Sequence, residues 1–275
     1  MTGGSGYLGT HVRRFFSADD FSRRSHLNIL NPNDAALACD YDVVIHLAAY
    51  LDKNPEAAPL CFRTNAEGTA NILRHMRPNS VFIYASTKDV YGAHADDYAE
   101  VPETCSTDYI GQSALEWSKL MGERYVDFYA AQRNLRACIF RLSTVYASAS
   151  DDNEPSFVTH YVESVMRNEP IHLPMKGAPV RDLLHVKDFA RACRHFIDSS
   201  VASGLYNLGG GRMNAVSLRQ LVETIGRLLN RAPLIDEANA QSPVPVNYIS
   251  DLRRVETELN WRPEISIEEG IRSLL

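Results

Sequence analysis

The 275-residue sequence has no paired cysteine motif, no long apolar run and no excess of positive charge. Its five cysteines are scattered without a C-x-x-C pair, which argues against a disulfide framework or a zinc site and for reduced thiols. No run is apolar enough to span a bilayer, and the N-terminus lacks the order of a signal peptide. The net charge of −6 argues against a nucleic-acid or membrane surface. We therefore expect a cytoplasmic protein without metal, nucleic acid or membrane as a partner.

Short apolar runs that alternate with helical patterns dominate the first half of the chain. Runs rich in β-branched and aromatic residues predict buried strands at Tyr41–Ala49, Ser80–Ser86 and Arg136–Tyr146. Between them, Asn65–Met76 and Ser113–Gln132 have the spacing of helices. Alternating strands and helices form βαβ units, so we expect an α/β fold with a doubly wound parallel sheet.

The pattern is less regular after Tyr146. Amphipathic helices are predicted over Ser156–Asn168 and Ser217–Asn230, the second with Ser217 as its N-cap, and a strand over Ser203–Gly211 runs into a glycine turn. We expect a sheet domain over residues 1–148. A smaller mixed lobe follows over residues 149–275, from which the chain returns to the core.

The chain opens on a glycine-rich turn, TGGSGYLG, with Gly3, Gly6 and Gly9 spaced by three. Glycines let the backbone approach a ligand closely, and amides at the start of the following helix can hold a pyrophosphate. A tight turn without a ligand fits the triplet equally well. Such turns follow a buried strand of about five residues, and only Met1 and Thr2 precede this one. The first strand is therefore expected to be truncated.

Further segments follow the glycine turn in a fixed order: DVVIHLAA, NAEGT, YASTKDVYG, SKLMGE, VRDLLHVKDFARA, YNLGGG and LNWRPEISIEEGI. As a set they resemble the extended short-chain dehydrogenases, specifically the NAD(P)-dependent epimerase/dehydratase group that acts on nucleotide sugars. The resemblance runs from Thr2 to the C-terminus. It implies a Rossmann domain that binds NAD or NADP, a substrate-binding C-terminal lobe, and redox-based epimerisation, dehydration or reduction of a sugar bound to a nucleotide diphosphate.

The resemblance also assigns roles to single residues. For the cofactor, it implies contacts with Gly3, Gly6, Gly9, Leu47, Ala48, Ala49 and, at the nicotinamide ribose, Lys119. For the substrate, it implies that Ser86 and Thr87 bind the reacting oxygen and that Arg181 binds the diphosphate. An ion pair of Arg181 with Asp182 or Asp188 is the structural alternative. Thr144 stands where the family has a substrate-side asparagine.

The position of the family's catalytic tyrosine is occupied by Leu115. Leucine cannot transfer a proton, whereas Ser86, Thr87 and Lys119 remain in place. Lys88 and Asp89 are candidates for proton transfer by position, and a solvated loop start is the other interpretation of this segment. A non-catalytic or impaired family member that binds nucleotide or acts as a scaffold is therefore the alternative to an active enzyme.

Two further expectations concern the cofactor type and the oligomer. If FSRRS ends the second strand, Arg23 and Arg24 favour NADP, whereas Asp20 in that place would favour NAD. A solvated loop is the other interpretation of the two arginines. The resemblance also implies a homodimer, to which the helix that begins with ALEWSKLMGERYVDFY contributes.

Overall fold

The computed structural model describes residues 1–149, 156–236 and 243–275. The strands in chain order are β1 (Val43–His46), β2 (Val81–Thr87), β3 (Arg136–Leu142), β4 (Thr144–Tyr146), β5 (Ile171–His172), β6 (Val180–His185), β7 (Ser203–Leu208), β8 (Ala215–Ser217) and β9 (Ile235–Asp236). The α-helices are α1 (Tyr7–Phe16), α2 (Pro32–Ala36), α3 (Ala58–Cys61), α4 (Gly68–His75), α5 (Ala114–Arg133), α6 (Phe157–Arg167), α7 (Val186–Asp198), α8 (Leu218–Leu229), α9 (Arg253–Leu259) and α10 (Ile267–Arg272).

The main sheet has the order β1-β2-β3-β7, and its strands are parallel. Side chains of β2 alternate between two cores: Ile83 packs in a cluster with Phe189 of α7, and Phe82 packs in one with Ile72 of α4. Because successive residues of a strand face opposite sides of the sheet, helices cover both faces. The predicted doubly wound α/β fold is confirmed.

The sheet continues beyond β1 through Thr2. Thr2 makes parallel bridges to Phe21 on one side and to His46 on the other. Its N–H donates to the carbonyl of Ile45 at 3.0 Å, and its own carbonyl accepts from Leu47 N–H at 3.1 Å. The glycine turn is therefore anchored by a very short strand segment at Thr2, and the second strand is equally reduced, to Phe21.

The smaller lobe contains two short sheets. In one, β4 is parallel to β6 and β6 is antiparallel to β8; in the other, β5 is parallel to β9. β7 returns to the main sheet, where Ser203 lies opposite Ala137 of β3. The run predicted as one strand over Arg136–Tyr146 is two strands, separated at Ser143. The domain boundary at residue 148 stays a prediction.

The N-termini of α8 and α5 are capped by serine side chains. Ser217 caps α8 through Gln220 N–H, as predicted, and Ser113 forms a capping box with Glu116 at the start of α5. α4 begins later than predicted, because Phe62–Glu67 form a π-helical turn before it. Within the described ranges, no helix combines the length and apolarity needed to cross a membrane.

Candidate active site

A cleft of about 460 Å³ lies at the carboxyl end of β2. It is lined by the predicted substrate-side residues Thr87, Thr144 and Arg181, and by Lys88 and Asp89. Because the carboxyl ends of parallel strands lie at one edge of a sheet, the cleft shares its edge with the glycine turn and with the end of β1. The fold thus brings together residues that are far apart in sequence.

The glycine turn is packed so closely that side chains are excluded at two positions. Gly3 has φ of +66°, and a Cβ there would lie 2.7 Å from Ala48 N. A Cβ at Gly9 would lie 2.0 Å from the carbonyl oxygen of Gly3. Gly6 is the N-cap of α1. The predicted cofactor residues Leu47 and Ala48 therefore lie directly against the turn, which is the kind of backbone cradle that a pyrophosphate requires.

A chain of hydrogen bonds joins the glycine turn to α5. Thr69 Oγ1 donates to Asn65 O at 2.7 Å, so Nε2–H of His46 must donate to Thr69, at 3.0 Å. Nδ1 of His46 then accepts from Thr2 Oγ1 at 2.9 Å. The Asn65 side chain continues the chain by donating to Ser118 Oγ at 2.9 Å. Burial and the charge of the nearby Lys119 lower the pKa of His46 to about 3, so its ring is neutral.

Ser86 does not face the cleft. Its hydroxyl donates to Glu123 Oε1 at 2.5 Å, and Glu123 also binds the Arg141 guanidinium through both oxygens, at 3.0 Å and 2.7 Å. Ser86, Glu123 and Arg141 are all buried. Alternation along β2 explains the difference between neighbours, since Ser86 points into the protein and Thr87 into the cleft. A direct contact between Ser86 and substrate stays a prediction.

Lys119 is buried, and its ammonium donates to Ala85 O at 2.7 Å. Burial lowers the pKa of Lys119 to about 8, against the opposing effect of Glu123. Leu115, one turn earlier on α5, is only 6% exposed and brings no polar group to the site.

Asp89 is held between two lysines at the wall of the cleft. Its Oδ1 binds the ammonium of Lys88, and its Oδ2 binds that of Lys53 at 3.0 Å. Lys53 also binds Glu116 at 2.7 Å. Burial alone would raise the pKa of Asp89, but the two ammonium groups outweigh it and hold that pKa well below its usual range.

Arg181 also lines the cleft and is 8% exposed. Its guanidinium donates to the carbonyls of Val180, Pro245 and Val246 at 2.7 to 2.9 Å. Burial lowers its pKa, against the opposing effect of Asp89 and other carboxylates.

The two carboxylates that could have paired with Arg181 have other partners. Asp188 binds Arg191 at 2.6 Å, and Asp182 accepts from Gly211 N–H at 3.1 Å and from Ser250 N–H at 3.0 Å. Among the described residues, no ion pair joins Arg181 to either carboxylate.

The residues after Phe21 lie beside the glycine turn. Arg24 Nη1 donates to the carbonyl of Ser5 at 3.4 Å, and Arg23 is exposed. Asp20 accepts from Ser22 Oγ through Oδ2, whereas its Oδ1 is buried next to Gly4.

Comparison with known proteins identifies the family. The sequence profile of the NAD dependent epimerase/dehydratase family matches residues 1–209. The chain belongs to this family. The expectation of a nicotinamide dinucleotide as cofactor is confirmed by the family assignment.

Relatives of this epimerase/dehydratase chain cover its whole length. The CDP-paratose 2-epimerase of Salmonella typhi is 24% identical over 100% of this chain and 97% of its own. A solved UDP-glucose 4-epimerase of Thermotoga maritima, with UDP-glucose, has a TM-score of 0.84 at 23% identity and covers 99% of this chain and 95% of its own. RMD from Pseudomonas aeruginosa, complexed with NADPH, has a TM-score of 0.82 at 21% identity, with 99% and 95% coverage. The two structures show the fold.

Sequence reasoning did not identify Lys53 as a residue of this epimerase/dehydratase site. Lys53 lies in the irregular segment after β1, where no periodic pattern singles out a residue, and it reaches the cleft only through the fold. Glu123 stands within a recognised segment, SKLMGE, but nothing in the segment indicates that it pairs with Arg141.

Proposed function

We propose that this epimerase/dehydratase family member binds NADP(H) and a nucleotide-diphosphate sugar, and that it oxidises or reduces the sugar. The observation that carries the proposal is the shared cleft, which both Thr87 and Arg181 line, at the sheet edge that also holds the glycine turn. A hydroxyl for the sugar and a guanidinium for a diphosphate are thereby available in one cavity.

The dinucleotide would lie across the glycine turn. Gly3 and Gly9 allow the close packing that shapes the turn, and a pyrophosphate would lie beside it at the N-terminus of α1. The Lys119 ammonium donates one N–H to the carbonyl of Ala85, and its other N–H groups would bind the nicotinamide ribose. When bound, the dinucleotide supplies or accepts a hydride.

NADP is favoured over NAD by the groups that a ligand can reach. Arg24 contacts the turn at Ser5 and has an exposed side chain, as does Arg23. The competing carboxylate, Asp20, has one oxygen buried and the other bonded to Ser22. This region therefore favours binding of the 2′-phosphate of NADP over the ribose 2′-hydroxyl of NAD.

On the substrate side, Thr87 and Arg181 have complementary tasks. Thr87 Oγ1 accepts from Asp89 N–H at 3.2 Å, which leaves its own proton for a sugar oxygen. Arg181 is held by backbone carbonyls and presents a charge that persists at neutral pH. The neighbouring ammonium groups of Lys53 and Lys88 add positive charge to the same cavity.

Titration calorimetry with NADPH, NADH, NADP⁺, NAD⁺ and UDP tests the proposal. We expect micromolar binding of the phosphorylated pair, weaker binding of NADH, and binding of UDP. Arg181→Gln is expected to weaken UDP binding about tenfold or more, because one charge-assisted contact is lost, while NADPH binding is kept. Arg227→Gln, on the exposed pair with Glu268, is the control. Absence of binding by all four dinucleotides would refute the proposal.

A non-catalytic family member is the second candidate, and Leu115 favours it. An apolar side chain at this position removes a proton-transfer group from the first turns of α5. Binding of dinucleotide and UDP without turnover of any keto or hydroxy sugar would support this candidate over an enzyme.

The second copy of this chain is the partner that we propose for α5. Met121 and Phe128, two turns apart on one face of α5, are 42% and 52% exposed, and Leu60 of the neighbouring α3 is 39% exposed. Burying such a stripe between two copies removes apolar surface from water. Phe128→Glu is expected to convert a dimer to a monomer in sedimentation velocity. A wild-type species of 30.8 kDa alone would contradict the pairing.

A further inference from the structure

The charged groups of the cleft are unevenly divided between proton donors and acceptors. Among the described lining residues, Lys53, Lys88 and Arg181 are cations, Tyr161 is a phenol, and Asp89 is the carboxylate. Burial raises the pKa of Tyr161, which keeps its proton. The cleft therefore offers several protonated groups and one candidate base.

The candidate base, Asp89, is already bound to two cations. Both oxygens of Asp89 bind ammonium groups, Oδ1 that of Lys88 and Oδ2 that of Lys53. The two ammonium groups hold the pKa of Asp89 well below its usual range, which makes Asp89 a weak base toward a sugar hydroxyl. Deprotonation of a sugar hydroxyl by Asp89 is thus disfavoured.

Lys53 is a proton donor whose ammonium lies in the cleft in a fixed position. Its ammonium spans from Asp89, after β2, to Glu116 on the first turn of α5, next to Leu115. An ammonium has three N–H donors, and these two bonds use two of them. The Lys53 side chain is 53% exposed and lines the cleft, so the third donor can reach a ligand.

We propose that Lys53 donates the proton when a carbonyl of a nucleotide-linked keto sugar is reduced in this cleft. This inference rests on the proposed function. The dinucleotide, when bound in its reduced form, would supply a hydride to the carbonyl carbon. The π electrons of the C=O bond would move to the oxygen, and the Lys53 ammonium would give that oxygen a proton. An alcohol, an oxidised dinucleotide and a neutral lysine result, and solvent reprotonates the lysine.

The charge state of Lys53 decides which half of the reaction it can assist near neutral pH. With an ordinary pKa of about 10.4, nearly every lysine carries the proton that reduction needs, and on the order of one in a thousand is the neutral base that oxidation needs. Burial opposes the charge on Lys53, but Asp89 and Glu116 outweigh it and raise its pKa further. Reduction of a keto sugar is therefore the step that a protonated Lys53 can assist.

The experiment compares reduction of UDP-4-keto-6-deoxyglucose with NADPH and oxidation of UDP-glucose with NADP⁺. We expect reduction to be flat between about pH 6 and about pH 9, because Lys53 stays protonated there, and oxidation to be slow and to rise about tenfold per pH unit. Reduction that falls with a midpoint near about pH 7 would overturn the inference, as would its absence in a protein that binds NADPH and UDP.

Two variants separate proton transfer from charge. Lys53→Met is expected to lower kcat for reduction about 10²- to 10⁴-fold. Lys53→Arg keeps the charge but is expected not to restore kcat, because arginine does not release its proton. Both carboxylates keep a partner in these variants: Lys88 for Asp89, and Ser113 for Glu116. Lys187→Met, at an exposed position of α7, is the control and should match wild type.

A readout independent of turnover comes from ¹⁵N NMR of the lysine side chains. The Nζ signal that disappears in Lys53→Met should titrate at a higher pH than an ordinary lysine in the free protein, because Asp89 and Glu116 raise the pKa of Lys53. A midpoint near neutral pH, or full activity of Lys53→Met, would overturn the assignment of Lys53 while leaving the proposed function intact. Failure to bind dinucleotide and UDP would refute the proposed function instead.

Discussion

Gly9→Ala is expected to weaken NADPH binding about a hundredfold and to lower the free energy of unfolding by about 1–3 kcal/mol. The added Cβ would lie 2.0 Å from Gly3 O and 2.9 Å from Gly4 Cα. Both neighbours are backbone atoms and cannot rotate away as a side chain would, so the turn itself must move. Calorimetric titration with NADPH and thermal unfolding measure the two effects.

Gly6→Ala provides a graded comparison for the same turn. Its Cβ would approach Gly3 O only to 3.2 Å, and its φ of −76° suits any residue. We expect a loss of affinity clearly smaller than that of Gly9→Ala. Equal NADPH affinity in wild type and Gly9→Ala would show that the packing of α1 against Gly3 does not shape the binding site.

Glu123→Ala is expected to destabilise the protein by about 3–5 kcal/mol, because it leaves a buried guanidinium without its counter-charge. Glu123 binds both Arg141 and Ser86, and all three are buried. Urea unfolding followed by circular dichroism measures the change.

The control lies one helical turn away on the same helix. Asp127 makes an exposed ion pair with Arg124 at 3.5 Å, and Asp127→Ala is expected to cost about 0–1 kcal/mol. A similar small cost for Glu123→Ala would mean that water reaches Arg141. Glu123→Gln, which keeps hydrogen-bonding capacity, is expected to fall between the two.

The parts of the fold that could be predicted are those with a repeating pattern. The apolar run at Ser80–Ser86 predicts β2 to within a residue, and the cap at Ser217 predicts the start of α8. The break at Ser143 could not be predicted, because strand-favouring residues continue on both sides of it. The chain changes sheets there for a tertiary reason: β3 pairs with β7, and β4 pairs with β6.

The candidate site also contains residues that the sequence predicts and residues that it does not. Thr87, Thr144 and Arg181 were predicted through a family resemblance, and they line one cleft. Lys53 carries no local signal, since its partners Asp89 and Glu116 are distant in sequence and meet it only in the folded chain. Ion pairs across a cleft depend on tertiary distance, which periodicity does not encode.

The hydrogen-bond chain from Thr2 to Ser118 restricts which single substitutions the buried site tolerates. The direction of each bond is fixed, since Thr2 donates to His46, His46 to Thr69 and Thr69 to the carbonyl of Asn65. Replacing one member leaves its neighbour with a buried donor or acceptor unmatched, a cost that a second, matched replacement can remove. The free-energy costs of substitutions at these positions are therefore expected to be coupled and not additive.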